Sequence, residues 1–237
     1  MAAPAAPIVV AIDGPSGVGK STAARRLALR LGVPFLDTGA MYRAIALRVL
    51  EGGTDPGDRD AVEAIAAKTG VSLRARPDGS FEVLLDGEPV EPRIRTPEVG
   101  EATSTIAAYP GVRRRMVELQ RDAASHCGGV VEGRDIGTRV FPETPHKFFL
   151  DARSEVRFRR RHDELAAAGR EVTIDQVRDE ITRRDRRDTT RADSPLSRDP
   201  SYTYIDTSDL GIDEVVERMA QAVAQRSAGR SRSDDGS

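Results

Sequence analysis

Gly14-Pro15-Ser16-Gly17-Val18-Gly19-Lys20-Ser21 matches the pattern G-x-x-x-x-G-K-[ST] in full. Before it, residues 8–12 form an apolar run that reads as a short buried strand. After it, residues 20–31 place Ala24, Leu27 and Leu31 on one helix face. Strand, glycine turn and helix in that order make a cradle for phosphate. Glycines let successive backbone N–H groups curl around phosphate oxygens where a Cβ would obstruct them. The helix adds its N-terminal dipole and free N–H groups. Lys20 is suited to bridge the β- and γ-phosphates of a triphosphate, and Ser21 to offer an oxygen to Mg²⁺. The expected triphosphate contacts are Gly14, Pro15, Ser16, Gly17, Val18, Gly19, Lys20, Ser21 and Thr22. An ordinary Gly-rich turn is the plain alternative, and the flanks on both sides argue against it. A guanine-nucleotide switch needs an Asn-Lys-x-Asp type of base reader, and this chain contains no Asn.

Working outward, strand-like runs at 33–36, 130–132, 147–150 and 202–205 alternate with helix-like segments at 40–50, 154–168, 174–187 and 212–225. Five strands with helical crossovers predict a parallel α/β sheet with helices on both faces. Residues 71–92 break the rhythm. Short strand candidates at 71–74, 81–85 and 88–90 are separated by Asp78-Gly79 and Asp86-Gly87, a hairpin signal that predicts a small antiparallel insert. Residues 1–7 read as a flexible N-terminal arm and 227–237 as a disordered tail with nothing to bury.

Composition narrows the function classes. At 237 residues, 38% hydrophobic and 31% charged, the chain suits a soluble globular protein. A net charge of −2 gives no overall attraction to nucleic acid or anionic membrane, so anion binding must be local. No apolar run approaches the ~20 residues that span a bilayer, and no signal peptide is visible, so a cytoplasmic location is expected. Cys127 is the single cysteine, which excludes an internal disulfide and a Cys-based metal cluster. Only Lys20, Lys68 and Lys147 are lysines, so 33 of the 36 basic residues are arginine. An Arg taken singly is therefore weak evidence, whereas a Lys inside the phosphate loop is not there through abundance.

Residues 37–43, Asp37-Thr38-Gly39-Ala40-Met41-Tyr42-Arg43, follow the second strand, and Glu132-Gly133-Arg134-Asp135 end the third. Strand ends beside a phosphate loop are where ligands lie in open α/β sheets. Thr38 can cap the following helix, and Arg134 can grip a phosphate bidentately. Two arginine-dense stretches follow, at 157–161 and 183–191. Interspersed acids allow a solvated, ion-paired helix face; the sharper reading is a phosphate-facing lid. Nucleic-acid binding is disfavoured, because the ten aromatics are not interleaved with the arginines in an RNA-reading pattern.

Together, these runs resemble the bacterial cytidylate kinases, nucleoside monophosphate kinases of the P-loop type. The resemblance spans about residues 8–225 and rests on an ordered set. The set comprises the phosphate loop, Leu36 to Arg43, Ile94-Arg95-Thr96, Gly133 to Thr138, Phe149 to Ala152, and Arg184-Asp185-Arg186-Arg187-Asp188. It implies a five-stranded parallel P-loop kinase core over 8–226, an acceptor-binding insert at about 71–103 and a helical lid at about 153–191. It also implies transfer of the γ-phosphoryl of ATP to CMP or dCMP with Mg²⁺, in pyrimidine nucleotide metabolism, by a monomer. Carried over by motif, Arg43, Arg134 and Arg184 hold the acceptor phosphate. Thr38, Arg113 and Arg191 surround the cytosine, Ser104 and Asp188 approach the pentose, and Asp135 is a further substrate-binding residue. Lys20, Arg134 and Arg184 would be the catalytic charges. Glu132 stands where family members often have Asp. A kinase for another small acceptor and an ATP-sensing, RNA-associated protein remain competing readings at this level.

Overall fold

A computed structural model describes residues 7–76, 79–125 and 127–234, with side chains through residue 227. The expected flexible arm at 1–7 lies outside it except for Pro7, as does Asp78 of the first hairpin signal. Strands β1 (Val9–Asp13), β2 (Phe35–Asp37), β6 (Gly129–Glu132), β7 (His146–Asp151) and β8 (Thr203–Asp206) form one parallel sheet in the order β2-β6-β1-β7-β8. The remaining three, β3 (Val71–Ala75), β4 (Phe81–Leu85) and β5 (Glu88–Pro89), form a separate antiparallel sheet. The β4–β5 turn is Asp86-Gly87 with φ of 52° and 90°, the double left-handed geometry that a two-residue hairpin favours.

Helices α1 (Lys20–Leu31) and α8 (Ile212–Asp234) cover one face of the parallel sheet. The other face carries α2 (Thr38–Glu51), α3 (Arg59–Lys68), α4 (Pro97–Ile106), α5 (Pro110–Ser125) and the antiparallel insert. Alternation along β1 decides the layering: Val10 and Ile12 join the α1/α8 core, and Ala11 joins the α2–α5 core. Helices α6 (Ser154–Ala167) and α7 (Ile174–Thr190) stand apart from both layers. They pack on each other through Leu165, Val177 and Ile181. A Thr173–Gln176 capping box starts α7.

Helix α8 continues to Asp234, so the backbone from 227 to 234 is helical where the sequence predicts a disordered tail; 235–237 lie outside the described residues. An apolar face at Val215, Val216, Met219, Ala220 and Val223 nucleates the helix, and adding residues to a formed helix is cheap. Helix α2 also differs in detail. Its cap is Asp37, whose Oδ1 accepts from the Ala40 N–H at 3.0 Å, while Thr38 is already inside the helix. Among the described residues, no helix is long and apolar enough to cross a membrane.

Candidate active site

The carboxyl ends of β1, β2 and β6 converge on one crevice. The phosphate loop leaves β1 at Gly14, where φ is +149° and an added Cβ would lie 2.1 Å from the Leu150 carbonyl oxygen. Only glycine lets the loop start this close to β7. Lys20 is buried, and its Nζ donates to the Pro15 carbonyl oxygen at 2.6 Å. Burial, and then the neighbouring Arg134 charge, push its ammonium well below the usual lysine range. Ser21 donates from Oγ to Glu132 Oε1 at 2.7 Å. Burial, and then the Asp37 charge, raise the Glu132 carboxyl.

Arginine groups ring the adjacent space. Arg134 donates through Nε to Asp188 Oδ2 at 2.8 Å and through a terminal nitrogen to Ser16 Oγ at 3.1 Å. Arg184 is half-buried, and burial followed by the Arg134 charge brings its guanidinium down to about 10, with Arg43 adding repulsion. Arg43, from the first turns of α2, is lowered by burial against the pull of Asp37, and it too feels Arg134. Arg43, Arg134 and Arg184 come from three separate segments; the Arg134 charge acts on both of the others, while Asp188 pairs with Arg134 and also acts on Arg184, and Asp37 acts on Arg43.

Deeper in, Arg113 and Arg191 both grip Asp135. Arg113 donates to Oδ2, and Arg191 approaches Oδ1 at 3.4 Å. All three are buried or nearly so. Tyr42 lies beside this cluster, and burial pushes its phenol up to about 12. Thr38 donates its hydroxyl to the Glu132 carbonyl oxygen at 2.7 Å. Ser104 on α4 accepts from Arg187 of α7 at 3.1 Å, a bond that joins α4 to α7 one residue before Asp188.

Contacts thus join Ser21 and Thr38 to Glu132, Arg134 to Ser16 and Asp188, and Arg113 and Arg191 to Asp135, while Arg43 and Arg184 lie within reach of the Arg134 charge and Ser104 meets Arg187. Of the α6 arginines, Arg157 reaches the loop, donating to the Ser16 carbonyl oxygen at 3.1 Å and to Asp185. Arg160 instead binds the Thr207 carbonyl oxygen at 2.7 Å, and Arg161 pairs with Glu164 at 3.0 Å. Asp185 escapes the sequence reading as a site residue. Its Oδ1 accepts the Ser16 N–H at 3.1 Å, so a carboxylate occupies a loop donor that an anion would use. Asp13, buried at the end of β1, also escapes it. On the outer side of the loop, a cavity of about 360 Å³ is bordered by Gly17, Thr22, Arg160, Thr207, Leu210 and Ile212. It has room for the base of a nucleotide whose phosphates enter the loop.

The family model described as Cytidylate kinase matches residues 10–225. The chain belongs to the cytidylate kinase family. A cytidylate kinase from Pelotomaculum thermopropionicum is 49% identical over 93% of this chain and 96% of its own length. One from Corynebacterium glutamicum is 48% identical over 94% and 99%. The crystal structure of an uncharacterized protein from Eubacterium ventriosum has a TM-score of 0.50 over 92% of this chain and 98% of its own, at 12% identity, a likeness of fold alone. As a member of the cytidylate kinase family, this chain is a phosphotransferase with a P-loop kinase fold, and the ordered motifs that suggested the resemblance all lie within the matched span.

Proposed function

We propose that this cytidylate kinase transfers the γ-phosphoryl group of ATP to CMP or dCMP, giving ADP and CDP or dCDP, as a step of pyrimidine nucleotide metabolism in the cytoplasm. One observation carries the reading: a loop built for a triphosphate opens beside three clustered arginines, Arg43, Arg134 and Arg184, and the Arg134 charge pushes down both of the others. A dianionic phosphate offers such a cluster charge-assisted, bidentate hydrogen bonds. ATP lies with its phosphates along Gly14–Ser21 and Thr22 and its base in the cavity beside Arg160 and Ile212. CMP lies with its phosphate among the three arginines. Its cytosine faces Thr38, Arg113, Asp135 and Arg191, where buried donors and acceptors stand at fixed spacing. Its sugar faces Ser104 and Asp188. Residues of one chain supply every one of these groups, which supports action as a monomer.

Lys20 is set against the charge that grows between the β- and γ-phosphates, and Arg134 and Arg184 lie between the two phosphate seats. The acceptor phosphate oxygen is already nucleophilic, so alignment and charge stabilisation do the catalytic work without a general base. The oxygens of Ser21 and Glu132, 2.7 Å apart, suit a hard cation such as Mg²⁺, with water and phosphate completing its shell. When bound, Mg²⁺ neutralises phosphate charge. The insert around 71–103 is the acceptor-binding unit and the 153–191 region the lid. ADP release measured over CMP, dCMP, UMP, AMP, GMP and dTMP tests the assignment. CMP and dCMP are expected to react far faster than the purine nucleotides and dTMP. Equal turnover of all six acceptors would remove the cytosine reading and leave a kinase of broad specificity.

A further inference from the structure

The Arg134–Asp135 pair carries both proposed acceptor functions, phosphate grip and base reading, yet it lies in an irregular stretch between β6 and a five-residue π-helical turn, Ile136–Val140. The stretch is fastened to β1 at both ends. On one side, Gly133 N–H donates to the Ile12 carbonyl oxygen at 2.9 Å. On the other, Ile136 N–H and Gly137 N–H donate to the two carboxylate oxygens of Asp13 at 2.9 and 2.8 Å. Exactly two residues, Arg134 and Asp135, bridge the interval between these fasteners.

Asp13 is fully buried, and its third donor is the Tyr202 hydroxyl at 2.7 Å, from the segment leading into β8. The fit around it is close. A Cβ on Gly137 would lie 2.6 Å from the Tyr202 oxygen and 3.0 Å from Lys147 Cδ. The Asp13 side chain bonds to Ile136, Gly137 and Tyr202, none of them a proposed substrate contact, and the residue immediately precedes Gly14 of the phosphate loop.

We infer that Asp13 is a positioning residue for the acceptor nucleotide: its carboxylate clamps the Ile136-Gly137 backbone, and through it sets Arg134 and Asp135 relative to the phosphate loop. The inference rests on the CMP or dCMP assignment above. A carboxylate suits the task because it accepts from all three donors at once and donates to none. In Asp13→Asn the amide nitrogen turns a donor toward one of those N–H groups, so one end of the span is released.

The test is steady-state kinetics of the full-length protein with ATP and CMP, and with UMP as a competing acceptor. Wild-type turnover of CMP checks the underlying assignment on its own. For Asp13→Asn, KM for CMP is expected to rise about tenfold or more, since a misplacement of about 1 Å in positioned groups can cost up to about a hundredfold. CMP preference over UMP should fall with it, and KM for ATP should change by less than about twofold. Gly137→Ala, which alters no charge and pushes the turn off Tyr202, should show the same split. Tyr202→Phe keeps both backbone clamps and should show it only weakly. Asp13 as a merely structural carboxylate would lower the melting temperature or the active fraction while leaving both KM values and the base preference of the folded enzyme intact. That outcome in the soluble variants, or a parallel rise of both KM values, overturns the inference.

Discussion

Single residues in this site are held by charge balance. Lys20 is folded back onto the Pro15 carbonyl while burial and Arg134 both weigh against its positive form. A triphosphate supplies the compensating charge, and the need is greatest as charge builds in transfer. Lys20→Ala should therefore lower kcat by about 10²–10³-fold, with KM for CMP changed little, as single electrostatic donors to a transition state do. Initial rates of ADP release over both substrates measure this, and an effect confined to KM for ATP would contradict it. Asp13 gives a pH signature. Burial raises its carboxyl from an ordinary 3.8 to about 6, against the opposing pull of the Gly137 and Ile136 N–H groups. Between those values the folded chain binds the proton that the unfolded chain has released, so this residue's contribution to stability declines as pH rises from 4 to 6 and is level above. The stability of the wild type relative to Asp13→Asn should fall by on the order of 3 kcal/mol between pH 4 and pH 7. Urea titrations of both proteins at the two pH values check it; a difference that grows with pH reverses the assigned shift.

At the scale of elements, helix α7 does the most. Arg184 and Asp188 lie at i and i+4 on one face of the helix, Arg191 caps its end, and in the proposed complex these three meet the acceptor. Arg184→Ala should raise KM for CMP by about tenfold to a hundredfold and KM for ATP much less, since charged hydrogen bonds to phosphate are the strong ones. Because burial and the Arg134 charge both weigh against the Arg184 guanidinium, the ligand-free variant should melt no lower than the wild type. A variant with unaltered CMP kinetics would move Arg184 out of the acceptor site. Local patterns explain why so much of the architecture is legible in the sequence. Period-3.6 spacing from Lys20 to Leu31 marks α1, and Asp86-Gly87 marks the hairpin. Short apolar runs mark all five parallel strands to within two residues at each end. Pairings set by distant contacts leave no such trace. Asp13 meets Ile136 and Tyr202 across 123 and 189 residues, and Ser16 meets Asp185 across 169. An isolated Asp before a glycine motif, or in an arginine-rich helix, carries no period that announces a partner. The end of α8 is illegible for a different reason, because its helicity comes from the packed turns before it rather than from its own residues.

Across the whole molecule, a net charge of −2 coexists with a crevice lined by arginine, so attraction for nucleotides is local to the carboxyl edge of the sheet. Two apolar cores pack on opposite faces of that sheet. The α6/α7 pair has its own small core of Leu165, Val177 and Ile181 and touches the loop through Arg157 and Asp185. Binding free energy should then appear as global stability. A ligand present at about 100 times its Kd adds about 2.7 kcal/mol. For a chain of this size that corresponds to about 5–10 °C in melting temperature. CMP should produce such a rise and cytidine at the same concentration almost none, because the dianion that relieves Arg43, Arg134 and Arg184 is missing from the nucleoside. Differential scanning calorimetry with CMP, cytidine and inorganic phosphate in parallel separates the contributions of phosphate and base. Equal shifts from CMP and cytidine would mean that the arginine ring is not where the acceptor phosphate binds.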